Sequence, residues 1–512
     1  MTLLAELVRA SERVAGTPSR LAKVRELADF LKRLDPQEVE IALPYLSGEI
    51  RQGKLTVGFA ALQSARAGAA AAPTLALQDV DGMFARLKQV KGKGAGAQRG
   101  ALLRELFERS TADEQDFLVR LVVGELRQGA LEGVMVEAVA AATSLPPADV
   151  RRAVAFAGSI APVAAAALAG GASALTQFIV RPLQPVLPML AQPAEDMSAA
   201  LAALGTALVE WKLDGARVQV HKSGDEVRVY TRNLNDVTSR VPEIVATVRG
   251  TRPQTMILDG EAIALRAGGR PHPFQVTMSR FGSREDTAQR RAELPLSVFF
   301  FDCLLLEGRP LFDRAMGERR EALAGALPRA LVTPAIVTAD LGEAQAFYEN
   351  ALAAGHEGVM AKALDAPYEA GRRGAGWLKV KRAKTLDLVV LAAEWGHGRR
   401  RGWLSNLHLG ARDAQTGGFI MLGKTFKGLT DAMLEWQTAE FLKRETGRDE
   451  WTVHLRPELV VEIAFNDLQE SAQYPGGLAL RFARVKGYRP DKRPEDADTI
   501  DTVRRIYQES LS

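Results

Sequence analysis

The sequence of 512 residues has little cysteine and little histidine, with one of the former and six of the latter. A single thiol, Cys303, excludes an internal disulfide framework and any zinc site built from several cysteines. It fits a reducing compartment, and we expect it to be a small buried apolar residue rather than a reactive thiol. The histidines show no metal-ligand spacing.

Long hydrophobic runs are also scarce. Residues 153–180 carry no charge and are long enough to span a bilayer, but they are mostly alanine and are interrupted by Pro162 and by Gly170-Gly171. Alanine enters lipid only weakly, so we expect two short buried helices and no membrane association. The first residues show no basic segment followed by an apolar core, so we expect no signal peptide and a cytoplasmic protein.

An excess of charge of one sign is nearly absent, because 66 Lys and Arg face 62 Asp and Glu, for a net charge of +4. This balance does not by itself predict a nucleic-acid partner, since local clusters of basic residues matter more. The hydrophobic fraction of 47% and the charged fraction of 25% are typical of globular proteins. The length predicts two to four domains.

The periodicity of the chain changes twice. Residues 1–178 show helical periodicity and predict an all-α domain. Three prolines within 182–188 predict a connector, after which residues 179–384 mix strands and helices as an α+β domain. Residues 385–512 predict short strands, a longer strand over 453–465 and a helix over 431–444, which suggests a small β-barrel of the OB-fold type.

Several basic residues beside glycines are candidates for gripping a nucleic-acid backbone. A Gly-Glu-x-Arg-Gln-Gly pattern at 48–53 recurs at 124–129, which suggests two similar helical units. Glycine-rich basic loops also lie at 88–99 and 396–402. Helix caps, a flexible linker and solvated charge runs are the alternatives. The candidate DNA-binding residues are Arg51, Lys93, Arg99, Arg127, Arg399 and Arg400.

The segment Lys212-Leu213-Asp214-Gly215-Ala216-Arg217 combines a lysine, a tight turn and an arginine. Alternating valines follow around Ser223-Gly224-Asp225, which predicts a hairpin. A lysine amine attacks phosphorus only when it is neutral, and burial among cations lowers its pKa. The segment therefore favours covalent nucleotidyl transfer, although a solvated surface lysine is an equal alternative on these six residues alone.

Further motifs follow in order at 231–233, 258–261, 300–302, 357–362, 377–381 and 481–492. In this order and spacing they resemble the ATP-dependent DNA ligases, members of the covalent nucleotidyltransferase superfamily, and most of all the compact bacterial type. The resemblance implies a helical DNA-binding domain, a nucleotidyltransferase (ATP-grasp-like) domain and an OB-fold domain. Proline is frequent in the family where Ala483 stands, so the turn at this point departs from the pattern.

The resemblance implies roles for individual residues. Lys212 would be the nucleophile that becomes lysyl-AMP, and Glu210 would read the adenine amino group. Phe301 would stack on the purine, although a core position is the alternative for this aromatic side chain. Contacts with phosphate or ribose would come from Arg217, Arg232, Glu261, Arg373, Lys379 and Lys381.

Two further roles complete the implied site. Glu261 and Glu357 would hold Mg²⁺, which prefers oxygen ligands. Asp491 and Lys492 would orient the pyrophosphate leaving group, with Arg481, Arg484 and Arg489 as competing candidates for the arginine of that motif.

The resemblance implies an enzyme that uses ATP and Mg²⁺ to seal nicks in duplex DNA, as a monomer that encircles DNA and is associated with the nucleoid. A mobile hinge is expected at 383–387. The alternatives are an RNA ligase or capping-type enzyme on the same catalytic core, and a catalytically inactive DNA clamp.

Overall fold

The computed structural model describes residues 1–66, 68–126, 128–130, 132–282, 292–382 and 384–511. Elements are numbered along these residues. Within them, no helix is both long enough and apolar enough to cross a membrane.

Helices dominate the first third of the chain and bury their apolar faces in one continuous core. They are α1 (Leu4–Gly16), α2 (Arg20–Leu31), α3 (Pro36–Ser47), α4 (Phe59–Ala65), α5 (Leu77–Gln89), α6 (Ala95–Glu108), α7 (Ala112–Val123), α8 (Glu132–Thr143), α9 (Pro147–Ala157) and α10 (Ile160–Leu175). The uncharged stretch at 153–180 is thus divided between α9 and α10, as expected, and Gly171 is non-helical inside α10.

The repeated glycine pattern has a structural basis at its first position. Gly48 ends α3 and Gly124 ends α7, both in the left-handed conformation with φ of 80° and 78°. A glycine adopts this conformation without the steric cost that a Cβ would bring. The repeat therefore marks two equivalent helix ends.

The central region contains two five-stranded sheets. The first, called sheet A, has the strand order β1-β10-β9-β2-β8, and the second, called sheet B, has the order β4-β3-β5-β6-β7. The strands are β1 (Leu190–Pro193), β2 (Ala207–Lys212), β3 (Ala216–Ser223), β4 (Glu226–Thr231), β5 (Thr255–Ala264), β6 (Leu296–Leu306), β7 (Arg309–Pro310), β8 (Ala335–Thr338), β9 (Gly358–Ala363) and β10 (Arg373–Lys381). The helices are α11 (Met197–Leu204), α12 (Pro242–Arg249), α13 (Phe274–Gly282), α14 (Met316–Ala326) and α15 (Leu341–Ala353).

The connection between the two sheets positions the candidate site. Strand β2 of sheet A ends at Lys212, and β3 of sheet B begins at Ala216. The intervening turn therefore joins the sheets. The hairpin predicted after it is present, since β3 and β4 pair antiparallel with Ser223 opposite Glu226.

The last region is rich in strands. They are β11 (Lys384–Trp395), β12 (Leu404–Arg412), β13 (Phe419–Thr425), β14 (Glu445–Arg448), β15 (Thr452–Leu455), β16 (Val460–Phe465), β17 (Asp467–Glu470), β18 (Leu478–Arg481) and β19 (Arg484–Tyr488), with helices α16 (Asp431–Lys443) and α17 (Ile500–Leu511). The long strand β11 pairs with β12, β15 and β16.

One strand prediction in this region was wrong. Residues 453–465 are not one strand, because β15 ends at Leu455 and β16 begins at Val460. Pro457 lies in the gap, where its missing N–H cannot take part in a strand ladder.

A fully buried ion pair fixes α14 against sheet B. Arg319 donates to Asp302 on β6 at 2.8 and 3.1 Å, and both side chains are 0% exposed. Arg319 also donates to the carbonyls of Arg314 and Ala366. Removal of one partner from such a pair leaves an uncompensated buried charge.

We therefore expect Arg319→Ala to lower the free energy of unfolding of this region by about 3–5 kcal/mol. The control is Arg228→Ala, since Arg228 pairs with Glu226 on the solvent-exposed side of the same sheet and its loss has little effect. Urea unfolding followed by tryptophan fluorescence measures both, and equal midpoints for the two variants would contradict the expectation.

Candidate active site

A cleft of about 1620 Å³ lies between the central and the last region. Both sheets contribute to its walls, and the last region contributes Lys427, Arg481, Phe482 and Lys486. Arg481 lies over the ring of Phe274 at 4.5 Å, so the two regions touch at the edge of the cleft. The volume exceeds what one nucleotide needs.

Lys212 lies in the cleft at the end of β2, paired in register with Gly358 on β9. Its ammonium group forms an ion pair with Glu357, and Lys381 pairs with the same carboxylate oxygen at 2.6 Å. Lys379 lines the same wall two residues before Lys381. The structure thus brings Lys212, Glu357 and the Lys379–Lys381 pair together from three separate parts of the sequence.

The Asp214-Gly215 turn holds Lys212 close to β5. The Gly215 N–H donates to Glu261 at 3.2 Å. A Cβ on Gly215 would lie 2.3 Å from the carbonyl oxygen of Ala262, which leaves no room for any other residue. The glycine of the motif is therefore required by the close approach of the turn to sheet B.

The pKa of Lys212 is raised, and the expectation of a lowered pKa was wrong for this arrangement. Burial lowers the pKa, but the charges of Glu357, Glu261 and Asp214 outweigh it. The sequence could not show that three carboxyl groups converge on this amine. Burial does lower the pKa of Lys379, together with the neighbouring cations.

The carboxyl groups around Lys212 differ in charge state. Burial raises the pKa of Glu261 to about 7, against the opposing pull of Lys212 and Arg217. For Glu357, burial is outweighed by Lys212 and Lys381, so its pKa falls to about 2. Glu357 is therefore the permanently ionised partner, and Glu261 titrates near neutral pH.

Glu210 and Phe301 lie at another end of the cleft. The Glu210 carboxylate is 2% exposed and pairs with Lys362 at 2.5 Å and with Arg320 at 3.8 Å. Phe301 lines the cleft, whereas its neighbour Phe300 is fully buried in the core of sheet B. The alternation along β6 therefore places Phe301 at the cleft and Phe300 in the core, and the stacking of Phe301 on a purine stays a prediction.

Arg217 is in the wall of the cleft, but its donors are in use. It donates to Asp259 at 3.0 and 2.5 Å, to the Met189 carbonyl at 2.6 Å and to Tyr368 at 3.2 Å. The guanidinium group therefore joins the connector to β5. Its contact with nucleotide stays a prediction, as do those of Arg232 and Arg373, which line the cleft.

The last motif is divided by the structure. Arg481 and Arg484 line the cleft, but Asp491 and Lys492 do not. Lys492 instead pairs with Asp387, and Arg489 donates to both Asp387 and Asp491. Arg489, Asp491 and Lys492 therefore lie near Asp387 at the start of β11, outside the cleft.

The candidate DNA-binding residues that the structure describes do not line the cleft, and most of them have a partner within the protein. Arg51 pairs with Asp81 at 3.4 Å, and Arg399 pairs with Asp431 at 3.0 Å. Arg99 donates to the carbonyl of Val90, and Arg400 donates to the carbonyl of Phe426. Lys93 is exposed. Arg127 lies outside the described residues.

Asp214, Lys362 and Trp377 line the cleft but received no role from the sequence. Asp214 approaches Lys212, and Lys362 lies over the rings of Phe301 and Trp377 at 4.7 and 4.2 Å. Lys362 closes the 357–362 motif and Trp377 opens the 377–381 motif, so both could have been found there. Asp214 was visible only as a turn residue.

Comparison with known proteins assigns the chain to a family. Residues 52–140 match the DNA ligase N terminus family, 188–381 the ATP dependent DNA ligase domain and 400–492 the ATP dependent DNA ligase C terminal region. A probable DNA ligase of Anaeromyxobacter sp. (strain Fw109-5) is 60% identical over 512 residues, 99% of each chain. One of Sorangium cellulosum (strain So ce56) is 54% identical over 100% of this chain and 96% of its own.

The solved structure named Pmar-Lig_PreS3 covers 94% of this chain and 99% of its own, with a TM-score of 0.62 and 18% identity, and shows the likeness of fold alone. The near full-length relatives carry the assignment, because their identity extends through the helical, central and last regions. The chain belongs to the ATP-dependent DNA ligase family.

Proposed function

We propose that the enzyme seals nicks in duplex DNA through a covalent adenylate on Lys212. The observation that carries this proposal is the place of Lys212 in the cleft, ion-paired to Glu357 and close to Lys379 and Lys381. An enzyme catalyses phosphoryl transfer mainly by positioning the reacting groups and neutralising their charge, and this arrangement of lysines and acid offers both.

The first step forms a bond between Lys212 Nζ and the α-phosphorus of ATP and breaks the bond to pyrophosphate. AMP then passes to the 5′-phosphate at the nick, which frees Lys212. The 3′-hydroxyl finally attacks that phosphate, the DNA bond forms and AMP leaves. Lys379 and Lys381 stabilise the negative charge that develops on the phosphoryl oxygens.

Lys212 must lose its proton before it attacks, and its raised pKa opposes this loss. Glu357 holds the ammonium group and so orients the nitrogen. Lys379 and Lys381 favour the loss of this proton, because their positive charges disfavour another cation beside them.

Glu261 and Glu357 would hold Mg²⁺. Their hard oxygen donors face the cleft beside Lys212. Within the described parts of the chain, no group of three or more His, Cys, Asp or Glu side chains is arranged to hold a metal ion. This fits Mg²⁺, which typically takes one or two carboxylates and completes its shell with substrate phosphates and water. When bound, it would supply neutralisation of phosphate charge.

Glu210 would recognise the base of ATP, because its carboxylate can accept a hydrogen bond from the adenine amino group. The ring of Phe301 would stack on the purine. Arg217, Arg232 and Arg373 complete the contacts to ribose and phosphate from the cleft walls. The adenylate would thus extend from Glu210 to Lys212.

We further propose three domains, at 1–178, 179–384 and 385–512, with an ATP-grasp-like central fold and an OB-type barrel at the end. Because Asp491 and Lys492 lie outside the cleft, their role in orienting pyrophosphate requires the barrel to move relative to the central domain. The hinge expected at 383–387 does not fit residues 384–387, because they form the start of β11 and pair with β16, and residue 383 lies outside the described residues. In the arrangement described here the barrel would present Arg481 and Arg484 to DNA.

The helical domain and the basic residues Arg51, Lys93, Arg99, Arg127, Arg399 and Arg400 would contact the DNA backbone, without sequence preference. The enzyme would act as a monomer that encircles the duplex, in the cytoplasm and associated with the nucleoid.

Replacement of the nucleophile tests the proposal directly. Lys212→Ala should abolish covalent labelling by α-³²P-ATP in a denaturing gel, because it removes the amine that would form the bond to the α-phosphorus. Binding to nicked DNA should persist. Lys443→Ala, a change at an exposed lysine, should label normally; persistent labelling of Lys212→Ala would refute the proposal.

The rate of lysyl-AMP formation should rise with pH. The neutral fraction of Lys212 grows about tenfold per pH unit below its raised pKa, so the rate climbs from about pH 6 to 9. Single-turnover labelling measures the profile, and a flat profile in the wild-type enzyme would contradict this account.

Lys492→Ala should separate the steps of the reaction. Loss of the leaving-group contact should slow enzyme adenylation by about tenfold or more, while nicks that already carry 5′-AMP are sealed at the normal rate. Arg493→Ala is the control, since Arg493 is adjacent to Lys492 in the sequence and its own side chain is 79% exposed. Equal loss in both assays would argue against a role confined to the first step.

A further inference from the structure

The carboxylate of Glu210 is unusual because it is buried between two cations that come from different elements. Lys362 on β9 approaches one oxygen at 2.5 Å, and Arg320 on α14 approaches the other at 3.8 Å. Burial of a carboxylate is costly unless cations compensate for it. Asp302 acts against them, because its negative charge disfavours ionisation of Glu210.

The oxygen that faces Arg320 has spare hydrogen-bonding capacity. Among the described residues, Glu210 Oε2 and Arg320 Nη1 have no hydrogen-bond partner although both atoms are buried, and the same is true of Thr333 Oγ1. Buried polar atoms are seldom left in this state. Of the three residues, only Glu210 lines the cleft, so its carboxylate is the group of this cluster that a ligand could approach.

Arg320 is itself held from behind. Its Nη2 donates to the carbonyl of Thr333 at 2.5 Å, and its side chain is only 18% exposed. The preceding residue, Arg319, is fully buried against Asp302, which fixes this turn of α14. Arg320 therefore has a defined place behind Glu210 without being part of the cleft wall.

We infer that Arg320 is a positioning residue for nucleobase choice, because its guanidinium group, together with the ammonium group of Lys362, favours the ionised form of Glu210 and holds the carboxylate beside the cleft. An ionised carboxylate only accepts hydrogen bonds, so it favours a purine with an amino group at position 6 over one with a keto oxygen there. A protonated carboxyl group could donate to that oxygen and would lose the distinction. The inference rests on the proposed role of Glu210.

The test compares covalent labelling by ATP with labelling by ITP, which carries the keto oxygen. In the wild-type enzyme a site built around an acceptor should reject ITP strongly. Arg320→Met removes the charge and keeps the aliphatic stem, and it should reduce the ratio of the ATP rate to the ITP rate by about tenfold or more. Arg320→Lys, which keeps the charge, should retain most of the preference.

Arg329→Met is the matched control, since Arg329 is exposed in the short helix after α14 and should leave the ratio unchanged. A merely structural role would lower both rates and leave their ratio as it is, which would overturn the inference. If Arg320→Met does not fold, Arg320→Gln carries the same test with a polar side chain.

Glu210→Gln separates the proposed role of Glu210 from the inferred role of Arg320. If this variant still prefers ATP as the wild-type enzyme does, the proposed role of Glu210 fails. If Glu210→Gln loses the preference but Arg320→Met keeps it, only the role of Arg320 fails.

Discussion

The site depends on the ion pair between Lys212 and Glu357. It joins the end of β2 to the start of β9 and holds the amine of Lys212 in a cleft where burial alone would disfavour its charge. The same carboxylate oxygen also pairs with Lys381, so one acid organises two lysines. The proposed nucleophile is therefore held in a protonated, oriented form, and it must lose its proton before it can attack.

The fold makes this arrangement possible because a single turn joins sheet A to sheet B. Gly215 permits the approach to β5 that brings Glu261 beside Lys212. At the other side of the site, Gly358 has a φ of +141° and a Cβ there would lie 2.2 Å from the Val380 carbonyl. Both glycines are next to site residues, which explains why the motifs pair a charged residue with a glycine.

Part of the fold and of the site was predictable from the sequence, because a motif identifies residues that are near one another in the chain. The hairpin after Lys212 and the family itself followed from local patterns and their order. The raised pKa of Lys212 and the engagement of Arg217 with Asp259 did not, since they depend on which strands lie side by side. Pro457, which interrupts 453–465, was visible in the sequence but was outweighed by the apolar residues around it.

The central claim is that Lys212 itself carries the adenylate. The most direct measurement is to incubate the wild-type enzyme with ATP and Mg²⁺, digest it and locate the bound AMP by mass spectrometry of the peptides. We expect AMP on the peptide that contains Lys212, attached through nitrogen. AMP found on Lys379, on Lys381 or on any other residue would contradict it.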